Sequence, residues 1–374
     1  MVKKWQCIAI ILSFSCLNFF CSTREVICCK ENTEFHSYLQ DQKAGLKDSV
    51  VDIQYFSENF QKTGMYFNTG FHFYKKGSKS YISYLNAFKD SLVFINVFEK
   101  EIQKIPINTF IDKNQKYTLR IIGDTIHLIN TGTYKYKQLI IDTNLRLKII
   151  REYDLNYAFS SKKIFLNTNL VIDKKIIYQS PYLYLTFGNF TTRNNADSKI
   201  MMKIDVEKKK EVKILKYPYQ YKSCDMQNFY SIVEDVSDSI FALTFQKMNF
   251  LALINKKEGK AIKMTENFFN SQFMCYDQKQ EENLAYTSKF FDSDESNDNL
   301  IYSNNTFYLI KQLRRENKSA VRKIAILVFD SKLNYKTAVF GNKLLARLSL
   351  PYHSGIAVLN DSLNRIHYYD FSKK

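Results

Sequence analysis

The chain has 374 residues, 45% apolar and 15% aromatic, with a formal charge of +17. That length can bury a large core, and that composition excludes a disordered chain. The excess is mostly Lys, spread along the sequence rather than gathered in one stripe. This argues against a nucleic-acid partner and leaves a mild attraction to anionic membrane or glycan surfaces.

The N-terminus reads MVKKWQCIAIILSFSCLNFFCSTRE. Lys3 and Lys4 precede an apolar run from Trp5 to Cys21, and polar Ser22, Thr23 and Arg24 follow it. The pattern predicts an export signal over residues 1–21, with an uncleaved membrane anchor as the rival. Cys16, after Ser15, and Cys21, after Phe20, stand where a bacterial lipoprotein signal places its acylated residue. They are the lipidation candidates, against a plain secretory signal. Residues 22–45 read as a linker, with a short helix near TEFHSYLQDQ. Cys28, Cys29, Cys224 and Cys275 remain, with no C-x-x-C pair to hold zinc. Cys224 and Cys275 lie about one repeat apart and could form a disulfide in an oxidising compartment; separate buried thiols are the alternative.

Beyond the linker, polar corners precede apolar runs at Asp48 (KDSVVDI), Asp90 (KDSLVFINV), Asp124 (GDTIHLI) and Asp173 (DKKIIY). The series continues at Asp238 (SDSIFALT), Asp298 (NDNLIY) and Asp361 (NDSLNRIHYY). Asp suits such corners because its carboxylate accepts hydrogen bonds from backbone N–H groups just ahead. Pairs of apolar runs joined by a polar turn recur at 94–107, 138–150, 200–215, 250–264 and 325–340. Each predicts a β-hairpin. A sixth, RIHYYDFSKK at 365–374, stops before its return strand, and SVVDIQYF at 49–56 has the composition to supply it. Three polar stretches, 190–199, 290–299 and 314–323, read as insertions. No sustained helical periodicity or βαβ alternation is present. The expected fold is all-β: a six-bladed β-propeller over residues 46–374, closed by an N-terminal strand pairing with the last blade.

These patterns are carried by SYLNAFKDSLVFINVFEKEIQKIPI, by NDNLIYSNNTFYLIKQL with RKIAILVFDSKLNYKTAVFG, and by the closing GIAVLNDSLNRIHYYDF. In them the chain resembles six-bladed β-propeller proteins exported by Gram-negative bacteria, often as predicted lipoproteins, loosely related to the TolB-like and NHL-like propellers. The resemblance implies the periplasm or outer membrane and implies no particular activity.

Catalytic vocabulary is thin. The five histidines, His36, His72, His127, His353 and His367, form no metal-binding pair. His72, His127 and His367 sit in strand patterns as core or rim residues; His353 is the candidate for a polar contact. No G-x-S-x-G elbow, sialidase box or phosphate-cradling glycine loop occurs, and DSDES at 292–296 lacks the glycine and terminal glutamate of a calcium loop. No catalytic residue, metal or cofactor is assigned. Pro precedes Tyr at Tyr182, Tyr219 and Tyr352, in stretches that read as interstrand loops. Opening on one face, they would offer flat surfaces to a protein or glycan partner. The Asp-[Ser/Thr]-apolar corners have a second reading beside the turn: some Gram-negative bacteria attach O-glycans at such tripeptides, here Ser49, Ser91, Thr125, Ser239 and Ser362. The function expected is an exported, membrane-anchored binding or scaffold module, monomeric. The alternative is a periplasmic hydrolase or lyase in the central funnel, which needs an inward ring of carboxylates and His.

Overall fold

The computed structural model describes residues 48–52 and, with short interruptions, 71–159, 165–166, 176–188, 199–216, 231–266, 296–313, 323–360 and 365–371. Strand β1 (Asp48–Asp52) comes first. Blade one holds β2 (Phe71–Lys76), β3 (Lys79–Leu85), β4 (Ser91–Asn96) and β5 (Glu101–Pro106). Blade two holds β6 (Tyr117–Ile122), β7 (Thr125–Asn130), β8 (Lys135–Ile141) and β9 (Leu147–Asp154). A one-turn helix, α1 (Asn156–Phe159), leads to blade three: β10 (Phe165–Leu166), β11 (Ile176–Gln179), β12 (Tyr182–Gly188), β13 (Lys199–Asp205) and β14 (Lys210–Lys216). Blade four holds β15 (Ser231–Asp235), β16 (Ile240–Phe245), β17 (Phe250–Asn255) and β18 (Ala261–Glu266). Blade five holds β19 (Ser296–Ser303), β20 (Thr306–Gln312), β21 (Lys323–Asp330) and β22 (Tyr335–Asn342). Blade six holds β23 (Leu344–Tyr352), β24 (Gly355–Asn360) and β25 (Arg365–Asp370), and takes β1 as its fourth strand.

Every sheet is an antiparallel meander, and the first strand of each blade is innermost: β19 lies against both β15 and β23, and β2 against both β23 and β6. This is the expected six-bladed propeller. The ring closes as expected too. β1 pairs with β25 from Asp48↔Tyr369 to Asp52↔Arg365, so the last blade is completed by the front of the chain. In blade three the innermost position is shared. β10 and β11 both pair with β12, Leu166 opposite Phe187 and Ile176 opposite Leu185.

Burial explains the apolar runs. A blade is covered on both faces by its neighbours, so its middle strands are buried at successive positions, as in SLVFIN and IFALTF. The core accordingly lies between blades. One cluster joins blades one and two through Phe94, Ile105 and Leu128; another joins blades four and five through Ala242, Phe307 and Phe329. The outermost strands face water and read differently, as LKIIREYD in β9 does. Lys104, Lys148, Lys210, Lys263 and Lys336 each stand exposed on a different outer strand. Lysine on an unpaired edge blocks strand addition from another chain. The dispersed positive charge of the sequence is in part this edge protection.

With Gly and Pro scarce, the hairpins turn on Asn and Asp. In five blades the third strand ends in such a residue or is followed directly by one, and its side-chain oxygen accepts backbone N–H bonds from the turn ahead. Asn96 takes Glu99, Asp142 takes Asn144 and Arg146, and Asp205 takes Glu207 and Lys208. Asn255 takes Lys257 and Glu258, and Asp330 takes Lys332 and Asn334. In blade six the same place in sequence is Asp370.

The structure sorts the polar corners and corrects one insertion. The polar corners do not occupy one blade position: Asp90 precedes a third strand, Asp124 and Asp238 precede second strands, and Asp298 lies inside a first strand. The stretch 290–299 is not wholly an insertion either. Its last four residues, Ser296–Asn299, begin β19 and are buried.

Candidate functional site

The two faces of the ring differ in their connections. Turns from first to second strands and from third to fourth strands open on one face. None exceeds the five residues of 142–146 or 256–260. The connections from second to third strands and those from one blade to the next open on the other face, which gathers 53–70, 107–116, 155–164, 189–198, 217–230, 267–295 and 313–322. The three longest, 53–70, 217–230 and 267–295, contain 17 Tyr and Phe residues in sequence. The short turns contain one aromatic of that kind, Phe98. Loops held on a rigid scaffold are where binding residues concentrate.

At the long-connection end, β19 begins with four buried polar residues, Ser296–Asn299. Asn297 and Asn299 reach in opposite directions. Asn297 Nδ2 donates to Phe245 O (2.8 Å) and Thr244 Oγ1 (3.1 Å) in blade four. Asn299 Nδ2 donates to Ser349 Oγ (2.7 Å) and Ser349 O (2.9 Å) in blade six. The Ser296 hydroxyl donates to Asp298 Oδ1 at 3.0 Å, and Asp298 stands at a β-bulge that re-aims it between the two asparagines. Opposite Asn297 in the ladder is Lys311, which is 1% exposed. In blade one, His72 Nδ1 accepts the Ile121 N–H of blade two at 3.3 Å. These side chains tie adjacent blades together beside the axis, since a buried polar group needs a partner.

A second buried network joins blades two and three. Gln138 Nε2 donates to the Tyr136 phenol oxygen at 2.7 Å, and that phenol meets His127 Nδ1 at 2.7 Å. With its oxygen already accepting, the phenol donates to the imidazole, placing the ring proton on Nε2. Tyr178 of blade three packs against His127, with ring centroids 5.2 Å apart. Burial, and then the Arg120 guanidinium, push the His127 pKa down to about 3. Burial likewise raises that of Tyr136. His127 is thus neutral at ordinary pH and acts as a core histidine.

The sequence-predicted binding residues are not gathered into one patch. Tyr182 follows the two-residue turn Ser180–Pro181 of blade three, and Lys203 Nζ sits 3.9 Å above its ring. That face of Tyr182 is therefore occupied by a cation. Tyr352 is the last residue of strand β23, not a loop residue, and it precedes the equivalent turn of blade six. Both turns open on the short-turn face, three blades apart. Tyr219 belongs to 217–230, which attaches on the opposite face. Tyr219, His353, Cys16, Cys21, Cys224, Cys275 and His36 lie outside the described residues, as do the signal and linker segments. Among the described residues, no three His, Cys, Asp or Glu side chains are grouped to hold a metal, and no helix is long and apolar enough to cross a membrane. His72, Glu234, Asp235 and Asp298 do occupy innermost strands.

The axial stitches were missed in sequence, because a polar run in a strand with few apolar residues reads as a loop. A signal was present in NDNLIY, where the asparagines alternate at the period of a strand.

No protein-family profile and no curated protein matches the chain. Its fold is similar to the crystal structure of a member of the DUF4221 family from Bacteroides vulgatus, with a TM-score of 0.62 at 10% identity, covering 87% of this chain and 96% of that one. A protein of unknown function from Bacteroides caccae gives a TM-score of 0.41 at 8% identity, over 73% of this chain and 82% of that one. The Cps50 (Swd1) β-propeller domain of Myceliophteria thermophila gives 0.38 at 11% identity, over 81% and 96%. The likeness to the DUF4221 structure establishes the fold: this chain is a six-bladed β-propeller.

Proposed function

We propose that the chain is an exported, membrane-tethered binding or scaffold propeller, which presents the face of long connections to a protein or glycan partner. One observation carries this. All connections of ten residues or more attach at one end of the blades, and the three longest hold 17 aromatic residues. Tyr and Phe provide large contact area at small entropic cost, the composition that interfaces favour. The polarity of β1 supports the tether. Its first residue, Asp48, pairs with Tyr369 at the short-turn end, so the segment bearing Cys16 and Cys21 joins the propeller on the face away from the long connections. An anchor there leaves the aromatic face free.

The test is thermal unfolding against panels of glycans and peptides, in which a ligand raises the midpoint by mass action. Serine at both Tyr219 and Tyr221 should abolish the shift produced by a hit and leave the unliganded midpoint in place. A hit abolished instead by changes at Tyr182 and Lys208, on the short-turn face, overturns the assignment. Mass spectrometry of the mature N-terminus reads the anchor: a diacylglyceryl adduct at Cys16 or Cys21 is expected, and a free terminus beyond Cys21 rules it out.

A further inference from the structure

Four described corners place Asp before Ser or Thr and then an apolar residue; that at Asp48 is paired within β1, and the structure separates the other three. At Asp90 both side chains are used. Asn86 Nδ2 donates to Asp90 Oδ1 at 2.6 Å, the Ser91 hydroxyl donates to the same oxygen at 2.7 Å, and Ser91 is buried. At Asp124 the carboxylate accepts the Tyr74 hydroxyl of blade one at 2.8 Å, and Thr125 is half-buried as the first residue of β7. These two corners are structural.

The third, Asp238-Ser239-Ile240, lies in the four-residue turn 236–239 between β15 and β16. Its backbone is fixed without the Asp. Val236 and Ser237 donate their N–H groups to Ile240 O, Ile240 donates to Ser237 O, and Lys256 donates to Ser239 O. The Ser239 N–H is met at 3.4 Å by Ser237 Oγ rather than by a carboxylate. Asp238 and Ser239 are both exposed, and among the described residues the Asp238 carboxylate takes no hydrogen bond. Ile240 packs against the cluster between blades four and five. A rigid turn therefore displays a hydroxyl with an uncommitted carboxylate one residue ahead. The turn chemistry that accounts for the other two corners leaves this one unexplained.

We propose that Ser239 is a modification site, the acceptor of an O-linked glycan. Ser239 Oγ attacks the anomeric carbon of a sugar carried as a glycosyl diphosphate. The bond from that carbon to the diphosphate oxygen breaks, the diphosphate leaves with the electron pair, and the hydroxyl proton passes to a base of the transferase. Asp238 supplies the fixed negative charge that the transferase reads beside the nucleophile. The glycan would stand on the short-turn face and leave the long connections unobstructed. This rests on the export reading, since the transferase proposed acts outside the cytoplasm.

The experiment is glycopeptide mass spectrometry on the full chain recovered from the cells that make it, after fractionation. The peptide spanning Ser239 should carry a mass increment built of sugar units. Ser239→Ala should remove it completely, Ser239→Thr should retain it, and Asp238→Asn should lower occupancy at least tenfold. Ser91→Ala should leave it unchanged. An exported chain with Ser239 bare, or an increment surviving Ser239→Ala at that peptide, overturns the site and leaves the export reading standing. A chain confined to the cytoplasm overturns both.

Discussion

The short-turn face and the long-connection face are made by the same strands, yet they obey different rules. On the first, five hairpins turn through the same side-chain device, an Asn or Asp accepting from the backbone ahead. On the second, connections range from the single residue 343 to the 29 of 267–295. A turn of four or five residues must be specified chemically, because the strands it joins have fixed register. A connection between blades is under no such demand, since loop closure costs grow slowly with length. Structure is therefore written on one face, and room for variation is left on the other.

That contrast can be broken experimentally. The largest effect should come from removing residues 1–52. The Arg365–Asp370 edge is then bare and the ring open, with a loss of several kcal/mol out of the roughly 5–15 kcal/mol that stabilises a domain. Urea denaturation followed by circular dichroism should show a broad, non-cooperative transition; an unchanged midpoint would mean that the seam is dispensable. Next come the axial stitches. Asn297→Ala leaves Phe245 O without this donor and should cost about 2 kcal/mol, as should Asn299→Ala at Ser349 by the same logic.

His127 gives a pH signature of similar size. Its folded pKa of about 3 lies below the ordinary histidine value, so the unfolded chain binds the extra proton first as pH falls. Stability is therefore intact above about pH 6.5 and declines between there and pH 3, by about 2 kcal/mol at pH 5. His127→Gln should flatten that slope, read as the difference in urea midpoints at pH 7 and pH 5. Smaller still, Asn255→Ala should cost about 1 kcal/mol by freeing the Lys257 and Glu258 N–H groups. At the bottom of the scale, Arg151→Ala breaks the exposed 3.5 Å contact with Glu207 and should leave the midpoint where it was. Were Asn255→Ala as silent as Arg151→Ala, the chemical specification of the short turns would be wrong.

The fold was legible because hairpins are local. FINVFEKEIQKIPI and FLALINKKEGKAIKM each hold both strands and the turn within about fifteen residues, and the missing sixth partner could be matched to SVVDIQYF by composition. The seam then followed, although β1 and β25 are separated by nearly the whole chain. What stayed hidden was long-range. Nothing in SNDN announces that its two asparagines reach Phe245 and Ser349, because those partners are 52 and 50 residues away. Tyr182 and Tyr352 looked alike in sequence, but only strand direction reveals that both belong to the short-turn face, on blades three apart. The aromatic connections were visible as composition, while their collection at one end required the strand order.

The seam also has a mechanical meaning. A molecule held by its N-terminus transmits any pull through Asp48 into β1, the strand that completes the last blade. Because the pull runs along the strand, its five pairings with Arg365–Tyr369 are loaded together in shear instead of being unzipped one by one. Leash and clasp would then be one segment: a force strong enough to part β1 from β25 opens the circle, while the backbone that runs on from Asp52 to β2 keeps the body on its leash.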